Sequence, residues 1–296
     1  MVLSETLNST LTLTERYISS SDGGQIFAQA IGNPSLPTLV FIHGLLFSSI
    51  VWAQILADTS LLQNFYLIAY DMRGHARSVK PDRPEGYSSR LYADDFNAVT
   101  SAFDVKSPIL VGWSMGGSVA TDVTAYYGAD ALAGIIFVAG LPWLAANPQV
   151  STPWVLGQAP GLSSVDNSTL AISSRVAFTD NLFRNPGSIP VEVLWSWLGS
   201  TNLVEPTKVG FLFGREQNTT NLFKAGASGV PLLLVNGGAD KYIMGEKVHE
   251  VVKDKFKDLT VHTVKNGSHA FFYEDREEFI GQVRKFAKRV FGKGRR

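Results

Sequence analysis

Five short runs of aliphatic, β-branched and aromatic residues constrain the fold of this chain more than any other feature. They occupy positions 38–44, 65–71, 108–113, 133–140 and 230–238. Strands that are buried on both faces have this pattern, because helices cover a parallel sheet on each side. Amphipathic helical stretches separate or follow the runs, as at 92–103 and 279–290. The sequence therefore predicts an α/β fold with a mostly parallel sheet covered by helices on both faces.

Composition and charge exclude several classes of partner. Lys plus Arg and Asp plus Glu each number 26 among the 296 residues, so we expect neither a nucleic-acid partner nor insertion into a membrane. Cysteine is absent, and His and carboxylate residues do not cluster at metal-ligand spacing, so no metal is expected. No segment is apolar for long enough to cross a bilayer. The first 17 residues lack the pattern of a secretory signal, and we therefore expect a cytoplasmic protein.

The alternation of strands and helices stops between residues 141 and 228. This interval has scattered Pro and Gly and short helical patterns, but no apolar run of the buried-strand type. We predict a helical cap at 141–228, inserted into an α/β core formed by 1–140 and 229–296. The cap holds four of the six tryptophans, which can either form a small core of its own or line a lid over a site: Trp143, Trp154, Trp195 and Trp197.

The sequence Gly-Trp-Ser-Met-Gly-Gly at 112–117 interrupts one of these runs where a strand turns into a helix. Glycines two residues before and after Ser114 relieve the crowding of such a sharp turn. The turn presents the Ser114 hydroxyl at the carboxyl end of the strand, beside the backbone amide of Met115. A serine at this place can also serve only as a helix cap. Ser114 is therefore a candidate nucleophile that requires partners elsewhere in the chain.

A serine hydroxyl needs a base, which is usually an imidazole held by a carboxylate. His269 follows a predicted strand on a Gly-containing loop before the last helix, and Asp240 lies just beyond the next-to-last strand. Both positions bring the side chain to the carboxyl edge of the sheet, where ligands bind in open α/β folds. Asp240 can alternatively cap its turn. The remaining histidines are expected to order loops or to lie near the surface: His43, His75, His249 and His262.

Together, these motifs resemble those of α/β-hydrolases, in particular the group of serine esterases, non-haem haloperoxidases and perhydrolases. The resemblance covers essentially the whole chain and includes FIHG, DMRGHARS, GWSMGG, NGGADKYI and NGSHAFF, with the nucleophile, acid and base in the order Ser114, Asp240, His269. It implies an oxyanion hole formed by the amides of Leu45 and Met115, and no cofactor. Family members commonly have a glycine where this chain has Ala76, which concerns the shape of a structural loop.

The resemblance implies a serine hydrolase that cleaves an ester or lactone through an acyl-enzyme. Dehalogenases and epoxide hydrolases of this fold use an aspartate at the position of Ser114, and hydroxynitrile lyases carry a lysine where this chain has Ala270. The scarcity of charge in the cap predicts an uncharged, apolar small-molecule substrate. We expect substrate contacts from Trp143, which enters the cap directly after a strand, and from Trp113. A lactonase, a carbon–carbon hydrolase, a perhydrolase or a hydrolase-like receptor remain alternatives, and the sequence does not define the oligomeric state.

Overall fold

The structure is a computed structural model that describes residues 12–293. The expectation about a secretory signal concerns mainly residues 1–11, which lie outside the described residues. Among the described residues, no helix is long and apolar enough to cross a membrane.

An eight-stranded sheet forms the centre of the molecule, with strand order β1-β2-β4-β3-β5-β6-β7-β8. The strands are β1 (Thr14–Ser19), β2 (Gln25–Ile31), β3 (Thr38–Ile42), β4 (Tyr66–Tyr70), β5 (Ile109–Trp113), β6 (Gly134–Val138), β7 (Leu232–Gly237) and β8 (Leu259–Val264). β1 and β2 pair antiparallel with each other, and β2 pairs antiparallel with β4. All other neighbours in the sheet are parallel. The predicted mostly parallel sheet is therefore confirmed.

Each of the five apolar runs contains one strand, and every residue of these strands is buried. The hairpin formed by β1 and β2 was not predicted. β1 is a mixture of exposed and half-buried residues with a single buried position, so it lacks the apolar signature of the other strands. One face of an antiparallel edge strand can remain in water, which explains this weaker pattern.

Helices and short 3₁₀ turns flank and connect the strands. The helices are α1 (Ala53–Leu56), α2 (Thr59–Leu62), α3 (Ser89–Ala102), α4 (Val119–Tyr127), α5 (Asn147–Val150), α6 (Pro153–Leu156), α7 (Ala159–Leu162), α8 (Ser168–Asp180), α9 (Val191–Asn202), α10 (Pro206–Phe213), α11 (Thr220–Ser228), α12 (Gly245–Val252), α13 (Phe271–Glu274) and α14 (Arg276–Lys293). The 3₁₀ turns are Ser49–Trp52, Pro84–Tyr87, Ser114–Ser118, Leu144–Ala146 and Pro186–Ser188. The apolar face of α14 is buried and packs on β6 and β7.

Helices α5 to α11 fill the interval between β6 and β7, and that interval, all of it described, contains no strand. Within it, α8 packs against α7 and α9. α11 packs instead against α4, and a Cβ atom at Gly226 would lie 2.8 Å from the Phe256 ring, so this helix adheres to the core. The cap boundary at residue 228 stays a prediction, and this packing favours an end of the cap before Thr220.

Candidate active site

Ser114 lies at a sharp turn directly after β5. Its φ of 52° places it in the left-handed region, which is uncommon for a residue with a side chain. The loop after β3 approaches this turn closely: a Cβ atom at Gly44 would lie 3.1 Å from the Cβ of Ser114, and one at Gly116 would lie 2.5 Å from the His43 carbonyl oxygen. Glycine is therefore required where the two loops meet, and this contact brings Leu45 and Ser114 to the same place.

Asp240 and His269 are hydrogen-bonded to each other. Nδ1 of His269 lies 2.8 Å from Oδ2 of Asp240, and both side chains are about 1% exposed. The other carboxylate oxygen, Oδ1, accepts the backbone N–H groups of Tyr242 at 2.7 Å and Ile243 at 3.2 Å. Because both oxygens of Asp240 are engaged, the carboxylate has a fixed orientation and acts as an acceptor for the imidazole.

Two aromatic residues contact His269, one at its imidazole ring and one at its backbone. The Tyr242 ring stacks on the His269 ring with a centroid distance of 4.3 Å and an interplanar angle of 12°. The indole N–H of Trp113 donates to the His269 carbonyl oxygen at 3.0 Å, and the Trp113 side chain is fully buried. Trp113 thus joins the end of β5 to the loop that carries His269. Sequence reasoning missed Tyr242, although an aromatic residue two positions after a candidate acid was a usable signal.

A cavity of about 470 Å³ lies between the loops at the carboxyl edge of the sheet and the helices of the predicted cap. Ser114 lines it together with Leu45 and Met115, so the structure brings the candidate nucleophile and both candidate oxyanion donors to one space. Met115 is the second residue of a 3₁₀ turn, where backbone N–H groups have no acceptor within the turn. Most of the remaining wall is apolar and comes from the cap and from the loop after Asp240, including Leu141, Leu144, Val155, Leu162, Phe178, Val209, Phe213 and Ile243.

The structure does not place Trp113 or Trp143 on the wall of this cavity. Trp113 lies beneath the site, as described above. The Trp143 ring packs edge-on against Phe223 of α11 at 5.4 Å, because Trp143 continues in an extended conformation toward α11. Leu144, the next residue, faces the cavity instead. The cavity wall is therefore formed by aliphatic residues such as Leu144 rather than by the two tryptophans that were expected to contact a substrate.

The other cap tryptophans have different surroundings. Trp197 is buried, and its ring lies 6.0 Å from the rings of Phe47 and Trp113. Trp154 packs on Tyr242 at 5.1 Å, whereas Trp195 is 68% exposed. Trp197 and Trp154 thus pack the cap onto the core rather than lining the cavity, which favours a packing role over a lid role for these side chains.

His43 and His75 have structural surroundings. Nε2 of His43 accepts the Met72 backbone N–H at 2.9 Å, while its Nδ1 contacts the Gly44 carbonyl oxygen at 2.8 Å. Burial lowers the pKa of His43, and it lowers the pKa of His75 to about 3. Both imidazoles are therefore neutral at pH 7 and connect the loops after β3 and β4. Ala76 has a φ of 37°, so this loop keeps a left-handed residue at the position where relatives commonly have glycine.

Among residues 12–293, no group of three or more His, Asp or Glu side chains could hold a metal ion. The Asp240 carboxylate and the His269 imidazole are paired with each other. The arrangement offers a hydroxyl, a buried imidazole–carboxylate pair and two backbone amides. These are the groups that nucleophilic acyl transfer uses.

The profile of the alpha/beta hydrolase fold matches residues 37–276. The chain belongs to the α/β-hydrolase family. A bifunctional esterase/perhydrolase from Acinetobacter calcoaceticus is 29% identical over 253 residues, which are 80% of this chain and 88% of that protein. A non-heme haloperoxidase from Rhodococcus erythropolis is 32% identical over 130 residues, covering 43% of this chain and 44% of that protein.

A solved structure of the esterase RhEst1 from Rhodococcus sp. ECU1013 superposes on this α/β-hydrolase with a TM-score of 0.83 and 28% identity. The superposition covers 93% of this chain and 99% of the esterase. The resemblance to the esterase, haloperoxidase and perhydrolase group is thereby confirmed, and so is the predicted class of enzyme, a serine hydrolase that acts on ester bonds.

Proposed function

We propose that this α/β-hydrolase cleaves an uncharged carboxylic ester or lactone with an apolar acyl portion, through an acyl-enzyme on Ser114. One observation supports this most strongly. Ser114 opens into a largely apolar cavity, and the neighbouring edge of the sheet carries a buried imidazole–carboxylate pair with a 2.8 Å hydrogen bond between Asp240 and His269. The proposed nucleophile, the proposed base and an apolar cavity that suits an acyl group thus lie at one edge of the sheet, which supports the proposal.

The proposed reaction has two halves. Nε2 of His269 takes the proton of the Ser114 hydroxyl as Oγ attacks the ester carbonyl carbon, and the amides of Leu45 and Met115 stabilise the resulting oxyanion. The tetrahedral intermediate collapses, and the leaving alkoxide receives the proton from His269. Water then attacks the acyl-enzyme in the same way, which releases the acid and restores Ser114. Asp240 keeps Nδ1 protonated and the ring in place throughout both halves.

The cavity supports the substrate class. Its volume of about 470 Å³ lies within the usual range for small-molecule sites, and none of the described residues that line it carries a charge. A charged acyl group would lose its hydration there without gaining an ion pair. An alkyl or aryl acyl group would instead gain about 0.8 kcal/mol for each buried methylene.

Perhydrolysis is a second candidate reaction. The Acinetobacter calcoaceticus relative, at 29% identity, is named as an esterase and a perhydrolase. In that reaction hydrogen peroxide replaces water in the second half, so that the same acyl-enzyme yields a peracid. The observation that favours it is the relative's name, and the test is to measure peracid formation at rising peroxide concentration alongside hydrolysis.

A fluorophosphonate probe and a panel of nitrophenyl esters and lactones test the proposal. We expect the probe to modify Ser114, and we expect neutral esters with apolar acyl groups to turn over steadily. Ser114→Ala should abolish both labelling and turnover. An adduct mapped to another serine would remove the proposed nucleophile. A tight complex with a ligand that is never turned over would favour the receptor alternative.

A further inference from the structure

The loop that carries His269 is attached to the cap by hydrogen bonds on its C-terminal side. The backbone N–H of Ala270 donates to the carbonyl oxygen of Leu182, a cap residue just after α8, at 2.9 Å. The same N–H lies 3.1 Å from the Ser268 hydroxyl oxygen, which accepts it. The residues that flank His269 are therefore bonded both to each other and to the cap.

The Glu274 side chain is hydrogen-bonded both to the loop that carries His269 and to the cap. One of its carboxylate oxygens, Oε2, accepts the Ser268 hydroxyl, and the carboxylate also accepts the backbone N–H of Arg184 at 3.1 and 3.2 Å. Arg184 belongs to the cap, and its guanidinium pairs with Asp275 at 3.0 Å and lies 3.8 Å from Glu274. The Glu274 side chain is only 9% exposed. The Glu274 carboxylate therefore accepts hydrogen bonds from Ser268 on the His269 side and from Arg184 on the cap side.

The same part of the cap also contacts the loop that carries Asp240. Nζ of Lys241 donates to the Asn181 side-chain oxygen at 2.9 Å, and the Tyr242 hydroxyl donates to the Phe178 carbonyl oxygen. Phe178 lines the cavity. Residues 178–184 thus join the cavity wall to both loops of the imidazole–carboxylate pair.

We propose that Glu274 is a positioning residue that couples the placement of the cap to the placement of His269. The inference rests on the proposed role of His269 as the base for Ser114. Glu274 accepts one hydrogen bond from the residue before His269 and another from the cap, so a single carboxylate fixes the distance between the two. Its loss lets Ser268 and the His269 backbone shift relative to the cap, while Asp240 and Ser114 keep the contacts of their own loops.

Glu274→Gln is the primary test, because the amide retains the shape of the side chain but has one acceptor oxygen where the carboxylate has two. We expect kcat on a neutral nitrophenyl ester to fall by roughly 10-fold, since small misplacements of a catalytic group are costly, while KM changes by less than about twofold. Labelling of Ser114 by a fluorophosphonate should slow by the same factor as kcat. Glu277→Gln, an exposed carboxylate on the adjacent turn, is the matched control and should leave kcat, KM and the labelling rate unchanged.

A double-mutant cycle separates positioning from stability. Ser268→Ala removes the hydrogen bond on the His269 side, so its loss in kcat and that of Glu274→Gln should not add in the double variant. Ser268→Ala also replaces Glu274→Gln as the test if thermal denaturation shows that the latter is unfolded. Unchanged kcat and labelling in both folded variants, or additive losses, would overturn the inference. Absence of labelling and turnover in the intact protein would instead overturn the proposed function.

Discussion

The carboxyl edge of the sheet and the cap hold their parts of the site in different ways. At the sheet edge, Ser114 directly follows a strand in which every residue is buried, and Asp240 and His269 are fixed by hydrogen bonds to each other. In the cap, the cavity wall consists largely of aliphatic side chains, including those on helices α6 and α7, each only four residues long. Directional hydrogen bonds hold the proposed catalytic groups, whereas non-directional packing shapes the cavity. Substitutions in these two regions should therefore differ in size and in kind.

The largest effect is expected at Asp240. Asp240→Asn should lower kcat by about 10³ to 10⁴, because an amide can hold the imidazole in the wrong tautomer. The fold should persist, since the retained oxygen can still accept the N–H groups of Tyr242 and Ile243. Steady-state kinetics and circular dichroism measure both outcomes. Asp254→Asn, an exposed aspartate on the surface of the core, is the control. A variant with a near-normal rate would show that Asp240 does not orient His269.

A buried ion pair joins Arg215, at the end of the predicted cap, to the helix after the proposed nucleophile, and its loss should be the next largest effect. Nη2 of Arg215 lies 3.0 Å from Oδ2 of Asp122 and 2.9 Å from the Ser118 hydroxyl oxygen, and the ion pair is almost fully buried. Ser118 in turn donates to the Met115 carbonyl oxygen at 2.7 Å. Arg215→Met should cost about 3 to 5 kcal/mol of unfolding free energy, because it leaves a buried carboxylate without its cation.

The pH dependence of that loss provides a second readout. Burial raises the pKa of Asp122, and Arg215 opposes this rise, so removing Arg215 should raise the pKa further. An acid with a raised folded-state pKa binds more protons in the folded than in the unfolded protein. The variant should therefore lose stability as pH rises above the ordinary carboxyl range toward the folded pKa.

Urea denaturation at pH 5 and pH 8 measures this difference. Lys247→Met, which breaks an exposed pair with Glu250, should leave the free energy of unfolding nearly unchanged at either pH. Equal losses for Arg215→Met and Lys247→Met would mean that the buried pair does not anchor the cap.

The contrast between the two regions also explains what the sequence could predict. β3 to β7 were recognisable because strands buried on both faces require continuous apolar runs, and Ser114 and Asp240 could be placed because each follows such a strand. His269 instead follows β8, an edge strand in which only Val264 is buried. β1 was missed because only Ile18 in it is buried. No local sequence pattern predicts the contact between Glu274 and Arg184, because the two residues are 90 positions apart.

Trp143 illustrates the limit inside the cap. Its position after β6 was correctly identified, but the direction of its side chain depends on packing against Phe223, which is distant in the sequence. Side chains of neighbouring residues in an extended segment point to opposite sides. A prediction that is wrong by one residue therefore assigns to the cavity wall a side chain that packs in the interior. The cavity is consequently lined by Leu144, whose apolar side chain has the same polarity as Trp143 but a different shape.

Leu144→Ala and Trp143→Ala test which of the two residues lines the cavity, and we expect smaller effects from them than from the substitutions above. Leu144→Ala enlarges the cavity, so the preferred acyl chain should lengthen by about two carbons and kcat/KM for the longer ester should rise several-fold, given about 0.8 kcal/mol per methylene. Trp143→Ala should leave the chain-length profile unchanged. A homologous series of nitrophenyl esters measures both profiles, with melting temperatures as the control for core damage. A shift of the chain-length profile in Trp143→Ala but not in Leu144→Ala would show that Trp143 lines the cavity.

The smallest effect is expected at Ala76, which lies in the loop after β4. Its φ of 37° is energetically less favourable for alanine than for glycine, because the Cβ atom crowds the backbone in the left-handed region. Ala76→Gly should therefore raise the free energy of unfolding by up to about 1 kcal/mol. The greater conformational entropy of glycine in the unfolded chain offsets part of this gain. Ala57→Gly is the matched control: Ala57 has a φ of −86°, so glycine should destabilise there. Urea denaturation measures both changes, and a loss of stability in both variants would show that the left-handed conformation of Ala76 carries no strain.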